Sequence, residues 1–410
     1  MKIAIIGGGA AGIMCAATLA EKNDKHEVHI FEKNSKLGMK VSISGGGRCN
    51  VTTGIQDKTI LAKKYIRGSN FLSPALAAFG PKAVMDWFES HNVPLKIEED
   101  LRVFPESNNS EDVIDVFYDI FKKHNVILHF QEGVTQILQN KEKFTIQTKL
   151  ENYEFDVLVL TTGGNAYSQT GSTGEGYVFA KNLGHTITTL GPSLNSFLTE
   201  EKWCKELLGI SFKNSKFVTT TDEGKKVEAT GPMIFTHFGI SGPTTFALAA
   251  HLAFDTINPK HSKVVSFIPK AELDFNYWNE SFQKQIANFP LKQIHNILTL
   301  ELPSRFATKI LELANILPER KANSITREER IKLAKLLAGE LKLTLTMRKV
   351  GDEFVTAGGI NSNEVDRKTM RSKLNPNLYF AGEILDVDGL TGGFNLQAAW
   401  CTGRLVGMNF

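Results

Sequence analysis

The sequence has few cysteines, and its histidines lack the spacing of metal ligands, so the residues that commonly stabilise exported or metal-binding proteins are scarce. Its 410 residues include only four cysteines, which stand far apart and form no Cys-x-x-Cys pair, at Cys15, Cys49, Cys204 and Cys401. A disulfide framework or a zinc site is therefore not expected, and the thiols are predicted to be reduced. The ten histidines show no His-x-x-x-His spacing, so no metal site is predicted.

Long hydrophobic runs are also lacking. No stretch of about 18 or more uninterrupted apolar residues occurs, so no transmembrane helix is predicted. The apolar run from Lys2 to Ala20 superficially resembles a signal peptide, but four glycines between positions 7 and 12 interrupt it. The same residues are fully accounted for as a strand, a turn and a helix, which favours a cytoplasmic protein over an exported one.

Neither sign of charge is in large excess. Lys and Arg number 47 against 44 Asp and Glu, a formal net charge of +3, which gives no strong argument for a nucleic-acid or membrane partner. The balance differs along the chain, because residues 192–350 carry 22 basic and 16 acidic side chains and the remainder carries 25 and 28. A solvated helical face explains this shift more simply than a binding surface, so no nucleic-acid partner is expected.

The length exceeds the size at which one hydrophobic core stops growing, so two or three domains are expected. Residues 2–6 and 28–31 are predicted strands on either side of a helix over residues 12–19, which together form a βαβ unit. After about residue 191 the composition of the sequence changes, and the glycine-rich, apolar composition of the first residues returns after Val355. The predicted organisation is a discontinuous domain with segments 1–191 and 351–410 around an insert over 192–350, β-rich over 192–270 and helical over 271–345.

Two local patterns predict particular elements. Residues 156–160 form the most apolar predicted strand, which should lie centrally in a sheet. Thr326 stands three residues before Glu329 at the start of a helical pattern, which predicts a capping box.

The segment Gly7-Gly8-Gly9-Ala10-Ala11-Gly12 satisfies the pattern G-x-G-x-x-G. Gly7 permits a tight turn, Gly9 lets the backbone approach a pyrophosphate, and Gly12 allows close helix–strand packing. The helix that begins here directs free N–H groups at the phosphates. Glu32 ends the second strand, where a carboxylate accepts the ribose hydroxyls and disfavours the 2′-phosphate of NADP. The pattern predicts a dinucleotide site; the alternative is a structural glycine turn with an exposed Glu32.

The C-terminal segment distinguishes FAD from NAD. Residues 377–383 are a predicted strand ending in Gly382 and Glu383, and a glycine-rich turn over 389–395 precedes a predicted helix over 396–406. A strand-end acid can bond the ribityl chain of a flavin, and the turn can bring helix N–H groups to the pyrimidine edge of the ring. A simple NAD dehydrogenase needs no such returning segment, so FAD is predicted. The alternative is a strand and a helix that only complete the sheet.

Two further glycine clusters fit a nucleotide site. The loop over residues 44–50 exposes its backbone and carries Arg48, which can meet a phosphate or a substrate carboxylate bidentately. Cys49 has no cysteine nearby in sequence, so a packing or cofactor-lining role is favoured over a redox role. Residues 161–164 follow an apolar strand, where a nucleotide would cross the strand ends.

Nothing in the sequence resembles a hydrolytic site. A pair of Ser241 and His237 is conceivable, but no G-x-S-x-G turn supports it, and a structural or substrate-lining role for His237 is favoured. No general acid or base can be assigned, because the tyrosine, histidine and cysteine candidates cannot be placed from sequence alone.

Together these motifs resemble those of the FAD-dependent oxidoreductase family that includes the bile-acid reductase BaiN and aminoacetone oxidase. The resemblance spans the whole chain and rests on GGGAAG at 7–12, SGGGRCNVT at 44–52, TGG at 162–164, IFTHFGISGP at 234–243, VTAGGI at 355–360 and LYFAGEILDVDGLTGGFNLQAAWCTG at 378–403. It implies an α/β fold: a two-dinucleotide-binding, Rossmann-type FAD domain interrupted by an insert with a β-barrel-like part and a helical part. Residues 400–402 depart from the small residues and serine often found there, which puts local helix packing in doubt.

The predicted cofactor-binding residues combine the motifs with the FAD contacts that the resemblance implies. They are Gly7, Gly9, Ala10, Ala11, Gly12, Glu32, Lys33, Gly45, Gly46, Gly47, Arg48, Cys49, Asn50, Val134, Thr162, Gly163, Gly164, Gly382, Glu383, Gly393, Phe394, Asn395, Leu396 and Gln397.

The leading expectation is a flavin-dependent oxidoreductase that passes a hydride between flavin N5 and a small organic substrate, such as an enone or an amine. Only one complete G-x-G-x-x-G is present, so NADH or NADPH as a transient reductant would dock without a Rossmann domain of its own. Reductase and oxidase activities both stay open, as does the oligomeric state. Two alternatives remain: an RNA-modifying flavoprotein that uses the basic insert, and a non-catalytic FAD-sensing protein.

Overall fold

The computed structural model describes residues 1–22, 26–140 and 142–410, and these divide into two compact units. The first unit comprises Met1–Ser193 together with Glu353–Phe410, and the second comprises Leu194–Asp352. No helix of the described residues combines the length and the apolar character needed to cross a membrane.

The described residues form twenty-three strands, most of them short. In chain order they are β1 Lys2–Ile6, β2 Glu27–Glu32, β3 Thr52–Thr53, β4 Tyr65–Arg67, β5 Leu95–Ile97, β6 Arg102–Pro105, β7 Ile127–Phe130, β8 Val134–Asn140, β9 Lys143–Thr148, β10 Asn152–Phe155, β11 Val157–Leu160, β12 Gly191–Ser193, β13 Phe197–Thr199, β14 Ser211–Thr220, β15 Lys226–Phe235, β16 Gly239–Ser241, β17 Lys263–Ile268, β18 Lys342–Arg348, β19 Val355–Ala357, β20 Val365–Asp366, β21 Arg371–Ser372, β22 Leu378–Phe380 and β23 Asp388–Gly389.

The α-helices are mostly short, and a π-helical turn over Leu336–Glu340 follows one of them. In chain order they are α1 Ala10–Glu21, α2 Met39–Ile43, α3 Lys58–Ala62, α4 Ser69–Ala78, α5 Pro81–Ser90, α6 Ser110–His124, α7 Glu175–Asn182, α8 Trp203–Glu206, α9 Pro243–His251, α10 Phe275–Asn288, α11 Ile294–Leu298, α12 Ser304–Ala314, α13 Arg327–Lys335 and α14 Phe394–Met408.

The first unit is built on a seven-stranded sheet in the order β20-β21-β22-β11-β1-β2-β7. The five strands from β22 to β7 are parallel, and β20 and β21 extend one edge in antiparallel fashion. The predicted central strand is confirmed, because β11 lies between β1 and β22 and all four of its residues are buried. Central parallel strands read as continuous apolar runs because they are buried on both faces.

The last helix packs against the first. A Cβ atom added to Gly403 of α14 would lie 2.2 Å from the carbonyl oxygen of Ala11 in α1, so only glycine permits this approach of the two backbones. The doubt about packing at residues 400–402 is resolved in the same helix. Trp400 is fully buried and stacks on Phe117, and the Thr402 hydroxyl accepts a hydrogen bond from the Gly382 N–H at 3.0 Å.

The second unit contains a closed barrel of six strands in the order β13-β16-β15-β14-β17-β18. Its core is aromatic, with Phe212 and Phe267 5.6 Å apart between ring centres and Phe306 of α12 4.9 Å from Phe212. The capping box is confirmed: the Glu329 N–H donates to the Thr326 hydroxyl, and the Thr326 N–H donates to the Glu329 carboxylate. The predicted fold class, a Rossmann-type domain interrupted by a barrel-like part and a helical part, is confirmed.

Two elements of this unit differ from the predicted division into a β-rich stretch over 192–270 and a helical stretch over 271–345. Strand β18 closes the barrel but begins at Lys342, inside the stretch predicted to be helical, because Leu343 and Leu345 alternate inward as strand residues do. Helix α9 lies inside the stretch predicted to be β-rich, and it begins at Pro243, a residue suited to the first helical position.

Candidate cofactor site

The polar and glycine-rich segments that were predicted to bind the cofactor follow neighbouring parallel strands. Gly7 follows β1, Glu32 ends β2, Thr161 follows β11, and Gly382 stands two residues after β22. The carboxyl ends of parallel strands meet at one edge of a sheet, and ligands of such sheets bind in the crevice outside that edge. The topology therefore brings these four segments together.

The turn after β1 presents bare backbone. Gly7 has φ +107°, and a Cβ atom on Gly12 would lie 2.0 Å from the carbonyl oxygen of Gly7, so helix α1 packs directly on the turn. Beside Gly9, by contrast, an added Cβ would meet none of the described atoms within 4 Å. No side chain of the described residues caps α1, so its first N–H groups, at Ala10 and Ala11, are left for an anion.

Glu32 is buried and already accepts three hydrogen bonds. Its Oε2 accepts from the Gly8 N–H at 2.9 Å, and its Oε1 accepts from the backbone and side-chain N–H groups of Asn34 at 2.8 and 2.7 Å. A carboxylate has about four acceptor positions, so a ribose hydroxyl can still donate to it. Lys33 is turned away into an ion pair with Glu175 at 2.9 Å.

Val134 begins β8 beside the end of β2. The backbone N–H of Glu132 donates to the carbonyl oxygen of Glu32 at 3.1 Å, and a Cβ on Gly133 would lie 3.1 Å from the Cβ of Lys33. The turn over residues 131–134 is thus held next to the carboxylate that was predicted to bind ribose.

The loop over residues 44–50 presents open backbone through three consecutive glycines. Gly45, Gly46 and Gly47 all have positive φ, and beside Gly46 and Gly47 an added Cβ would meet none of the described atoms within 4 Å. Arg48 does not point at this opening: its guanidinium pairs with Glu98 at 2.7 Å and lies over the ring of Phe104.

Cys49 and Asn50 follow in the same loop. Cys49 is fully buried with φ +62°, and burial raises the pKa of its thiol to about 12, so it is a neutral packing group at physiological pH. The amide of Asn50, oriented to satisfy both of its groups, accepts a hydrogen bond from the Gly393 N–H at 2.9 Å. This bond joins the loop to the C-terminal segment.

The C-terminal segment uses its side-chain amides to hold itself together. The side chain of Asn395 accepts from the Gly389 N–H and donates to the Gly389 carbonyl oxygen, both at 2.9 Å. Gln397 is fully buried, accepts from the Thr52 hydroxyl at 2.6 Å and donates to the Phe79 carbonyl oxygen at 2.8 Å. The described side chains leave the N-terminus of α14 uncapped, so the groups available to a ligand here are the N–H groups of Phe394, Asn395 and Leu396.

The turn after β11 contains an unsatisfied hydroxyl. The Oγ1 atom of Thr162 is buried and finds no hydrogen-bond partner in the described part of the chain. Gly163 next to it has φ +73°, and a Cβ on Gly164 would lie 2.7 Å from Oε1 of Glu383. Buried polar groups are nearly always paired, and this hydroxyl instead lies against Gly176 of α7, where an added Cβ would come within 1.8 Å of it.

Two residues at this edge were not predicted from the sequence. Lys40 of α2 pairs with Oε2 of Glu383 at 2.9 Å, and the backbone N–H of Thr356 donates to Oε1 of the same carboxylate at 2.9 Å. Lys40 stands apart from any recognisable motif, and only the position of β19 in the fold brings Thr356 beside Glu383.

The predicted residues therefore differ in what they offer a ligand. The turns after β1, β2, β11 and β22 lie at one edge of the sheet, and Asn50 joins the loop over residues 44–50 to Gly393. Four of the predicted residues use their side chains within the protein: Lys33, Arg48, Asn395 and Gln397. Two uncapped helix N-termini, open glycine backbone and a buried carboxylate fit the phosphates and hydroxyls of a dinucleotide such as FAD.

The residues considered for hydrolysis do not form a catalytic pair. The Ser241 hydroxyl lies 2.9 Å from that of Ser196, and His237 is exposed beside the ring of Phe238.

The chain was compared with known proteins. Residues 1–409 match the model of the HI0933-like protein Rossmann domain. A 3-dehydro-bile acid delta(4,6)-reductase of Clostridium scindens is 28% identical over 99% of this chain and 98% of its own length. Ribosomal RNA dihydrouridine synthases of Escherichia coli and Haemophilus influenzae are 26% and 28% identical, over 97% of this chain and 94% and 95% of theirs.

A match over nearly the entire chain agrees with the sheet topology and with the glycine-rich edge described above. The chain belongs to the HI0933-like Rossmann family, and it is a flavin-dependent oxidoreductase whose cofactor is FAD.

Proposed function

We propose that this protein is an FAD-dependent reductase that saturates a carbon–carbon double bond conjugated to a carbonyl group. The proposal rests on one observation: the relatives act on very different molecules, but each reduces a carbon–carbon double bond conjugated to a carbonyl group. A delta(4,6)-reductase of a 3-dehydro bile acid reduces double bonds conjugated to a 3-oxo group. A dihydrouridine synthase saturates the uracil C5–C6 bond, which is conjugated to a ring carbonyl.

Reduced FAD would supply the hydride for such a reduction, a proton from the protein or solvent would complete it, and the protein supplies binding and orientation. We assign the pyrophosphate to the N–H groups at the start of α1, the adenosine ribose to Glu32 and the flavin side to Gly382, Glu383 and the start of α14. NADH or NADPH is the proposed source of electrons. The chain carries one G-x-G-x-x-G, so the nicotinamide donor is expected to dock transiently.

A small enone is the substrate class we favour, since the relative that acts on a bile acid covers slightly more of this chain than the others. A uridine of ribosomal RNA is the second candidate, favoured by the two synthase relatives and by the 22 basic against 16 acidic residues over 192–350. RNA binding would make affinity fall steeply as salt is raised, because phosphate contacts release counterions.

One experiment separates the candidates. Purified protein with bound FAD is mixed with NADH or NADPH and given either a 3-oxo-Δ4,6 steroid or ribosomal RNA from cells that lack dihydrouridine. Saturation of the steroid supports the small-molecule assignment, and dihydrouridine in the RNA supports the second. Flavin that neither donor reduces, or reduced flavin that neither substrate reoxidises, would contradict the reductase proposal.

A further inference from the structure

A continuous chain of polar side chains lies on one face of the β2–β7 pair. Nε2 of His29 is 2.9 Å from Oε1 of Glu27, and Nδ1 of His29 is 2.9 Å from Nε2 of His129. Nδ1 of His129 is in turn 3.1 Å from Oε2 of Glu132. His29 and Glu132 are both buried, whereas Glu27 is exposed, so the series of hydrogen bonds runs from the surface to a buried carboxylate.

Glu132 is the member of this series of hydrogen-bonded side chains that lies nearest the proposed cofactor site. Its carboxylate also accepts from the hydroxyls of Thr148 at 2.8 Å and Tyr153 at 2.9 Å, which lie in β9 and β10. Its backbone N–H donates to the carbonyl oxygen of Glu32. The carboxylate thereby fixes the turn over residues 131–134, which connects Glu32 with Val134 at the proposed adenosine end of the FAD site.

The geometry sets the number of protons on the two rings. Three hydrogen bonds join Glu27, His29, His129 and Glu132, and the carboxylates only accept, so the four ring nitrogens must supply three N–H groups. Two neutral imidazoles carry only two. The fully bonded chain therefore requires one imidazolium shared between His29 and His129.

The surroundings indicate which ring carries the charge. Burial lowers the pKa of His29, and the bond to Glu27 only partly offsets this, whereas Nδ1 of His129 lies 3.1 Å from the buried carboxylate of Glu132. Burial alone would raise the pKa of Glu132, but the hydrogen bonds that it accepts from Thr148, Tyr153 and His129 outweigh burial and lower it. His129 thus faces an ionised carboxylate.

The other ionisable groups around the pair complete a neutral set. Lys2 of β1 pairs with Glu27 at 2.9 Å, and burial and the bond to Glu132 raise the pKa of Tyr153 to about 12, so it stays protonated. Glu151 adds only a distant negative charge near Tyr153. Lys2, Glu27, the protonated pair and Glu132 sum to zero, and loss of the shared proton would leave a net negative charge beside the turn.

We propose that His29 and His129 together hold one proton beyond those of two neutral rings, and that this proton makes His129 a positioning residue for the adenosine end of FAD. The proposal rests on the FAD site assigned above. When the proton leaves, the two remaining N–H groups serve the two carboxylates, and the lone pairs of His29 Nδ1 and His129 Nε2 face each other at 2.9 Å. Their repulsion moves the two rings apart and displaces His129 from its place beside Glu132. The turn over residues 131–134 then loosens, and the affinity for FAD falls as pH rises.

The first test measures FAD affinity against pH with FAD-free protein. Between about pH 6 and about pH 9 we expect the affinity of the unaltered protein to fall about tenfold, the effect of losing one charge-assisted hydrogen bond. In His129→Asn the amide can still donate to Glu132 but cannot titrate, so the affinity should vary little with pH. His261→Asn, which alters an exposed histidine of the second unit, should keep the pH dependence.

The second test counts the protons directly. Nitrogen NMR of the imidazoles in FAD-free protein should show three protonated nitrogens in the His29–His129 pair at neutral pH. Two protonated nitrogens, or an FAD affinity that does not change with pH in the unaltered protein, would overturn the proposal. Neither measurement involves turnover, so a protein with the expected pH profile that reduces no conjugated substrate would contradict the proposed function alone.

Discussion

The two units rely to different degrees on close approach between backbones. In the first unit several backbones approach closely at single glycines: an added Cβ at Gly12 or Gly403 would lie 2.0 or 2.2 Å from a carbonyl oxygen. In the second unit the core is filled by large aromatic side chains that meet ring against ring, such as Phe212, Phe267 and Phe306. A close approach between backbones permits only glycine at that position. An aromatic core tolerates other apolar residues if their total volume is kept.

The largest effect is expected from adding one methyl group in the first unit. Gly12→Ala places a Cβ against the Gly7 carbonyl oxygen, so we expect loss of soluble folded protein or of all bound FAD. Gly9→Ala adds the same methyl group where no described atom lies within 4 Å, so the melting temperature should stay unchanged while FAD binding weakens. Equal melting temperatures and flavin contents for both variants would refute the contrast and the pyrophosphate assignment.

In the second unit we expect the loss of stability to grow with the side-chain volume that a substitution removes from the core. Phe267 is fully buried in the barrel, and Phe267→Ala is expected to lower the free energy of unfolding by about 3–5 kcal/mol. Val264→Ala on the same strand removes an exposed side chain and should change stability little. Denaturant unfolding measures both. A variant Phe267→Leu that loses as much stability as Phe267→Ala would show that this core demands a specific shape as strictly as the glycines do.

A smaller effect is expected at the carboxylate of the first unit. Glu32→Ala removes the proposed acceptor of the ribose hydroxyls, so FAD binding should weaken by about 10- to 100-fold, the usual range for hydrogen bonds to a charged group. Glu89→Ala, which removes an exposed acid of α5, is the control. Titration of FAD-free protein gives both affinities, and full flavin content with unchanged affinity in Glu32→Ala would count against the assignment.

The smallest effect is expected at Thr162. Thr162→Val removes a hydroxyl that is unpaired within the described residues, so the FAD-free protein should be equally stable or gain about 1 kcal/mol. If FAD supplies the missing partner, its affinity should fall a few-fold in the same variant. A loss of stability without a change in FAD affinity would show that the hydroxyl serves the protein alone.

The same contrast explains what the sequence could predict. The strand, turn and helix around G-x-G-x-x-G were predictable because close backbone approach leaves glycine as the only residue, and the structure confirms them. Strand β18 and helix α9 were not predicted, since alternating leucines and a Gly-Pro start are weak local signals against the composition around them. Lys40 was missed because its partner Glu383 is more than three hundred residues away in the chain.

The His29–His129 pair lay beyond sequence reasoning for a related reason. The two residues are one hundred positions apart, and only the parallel pairing of β2 with β7 sets them side by side. Neither lies in a motif. The assignment of individual cofactor-binding residues stays a prediction, although the turns that carry them occupy the expected strand ends.

The pairing of β22 with β11 has a consequence for biosynthesis. A ribosome must translate more than two hundred residues after β11 before β22 can hydrogen-bond to it, and α14 emerges later still. Until then β11 has an unpaired edge and α1 lacks its contact with α14. A nascent chain is thus unable to complete its nucleotide crevice before β22 and α14 have emerged, and loading of the flavin belongs to that stage of synthesis or a later one.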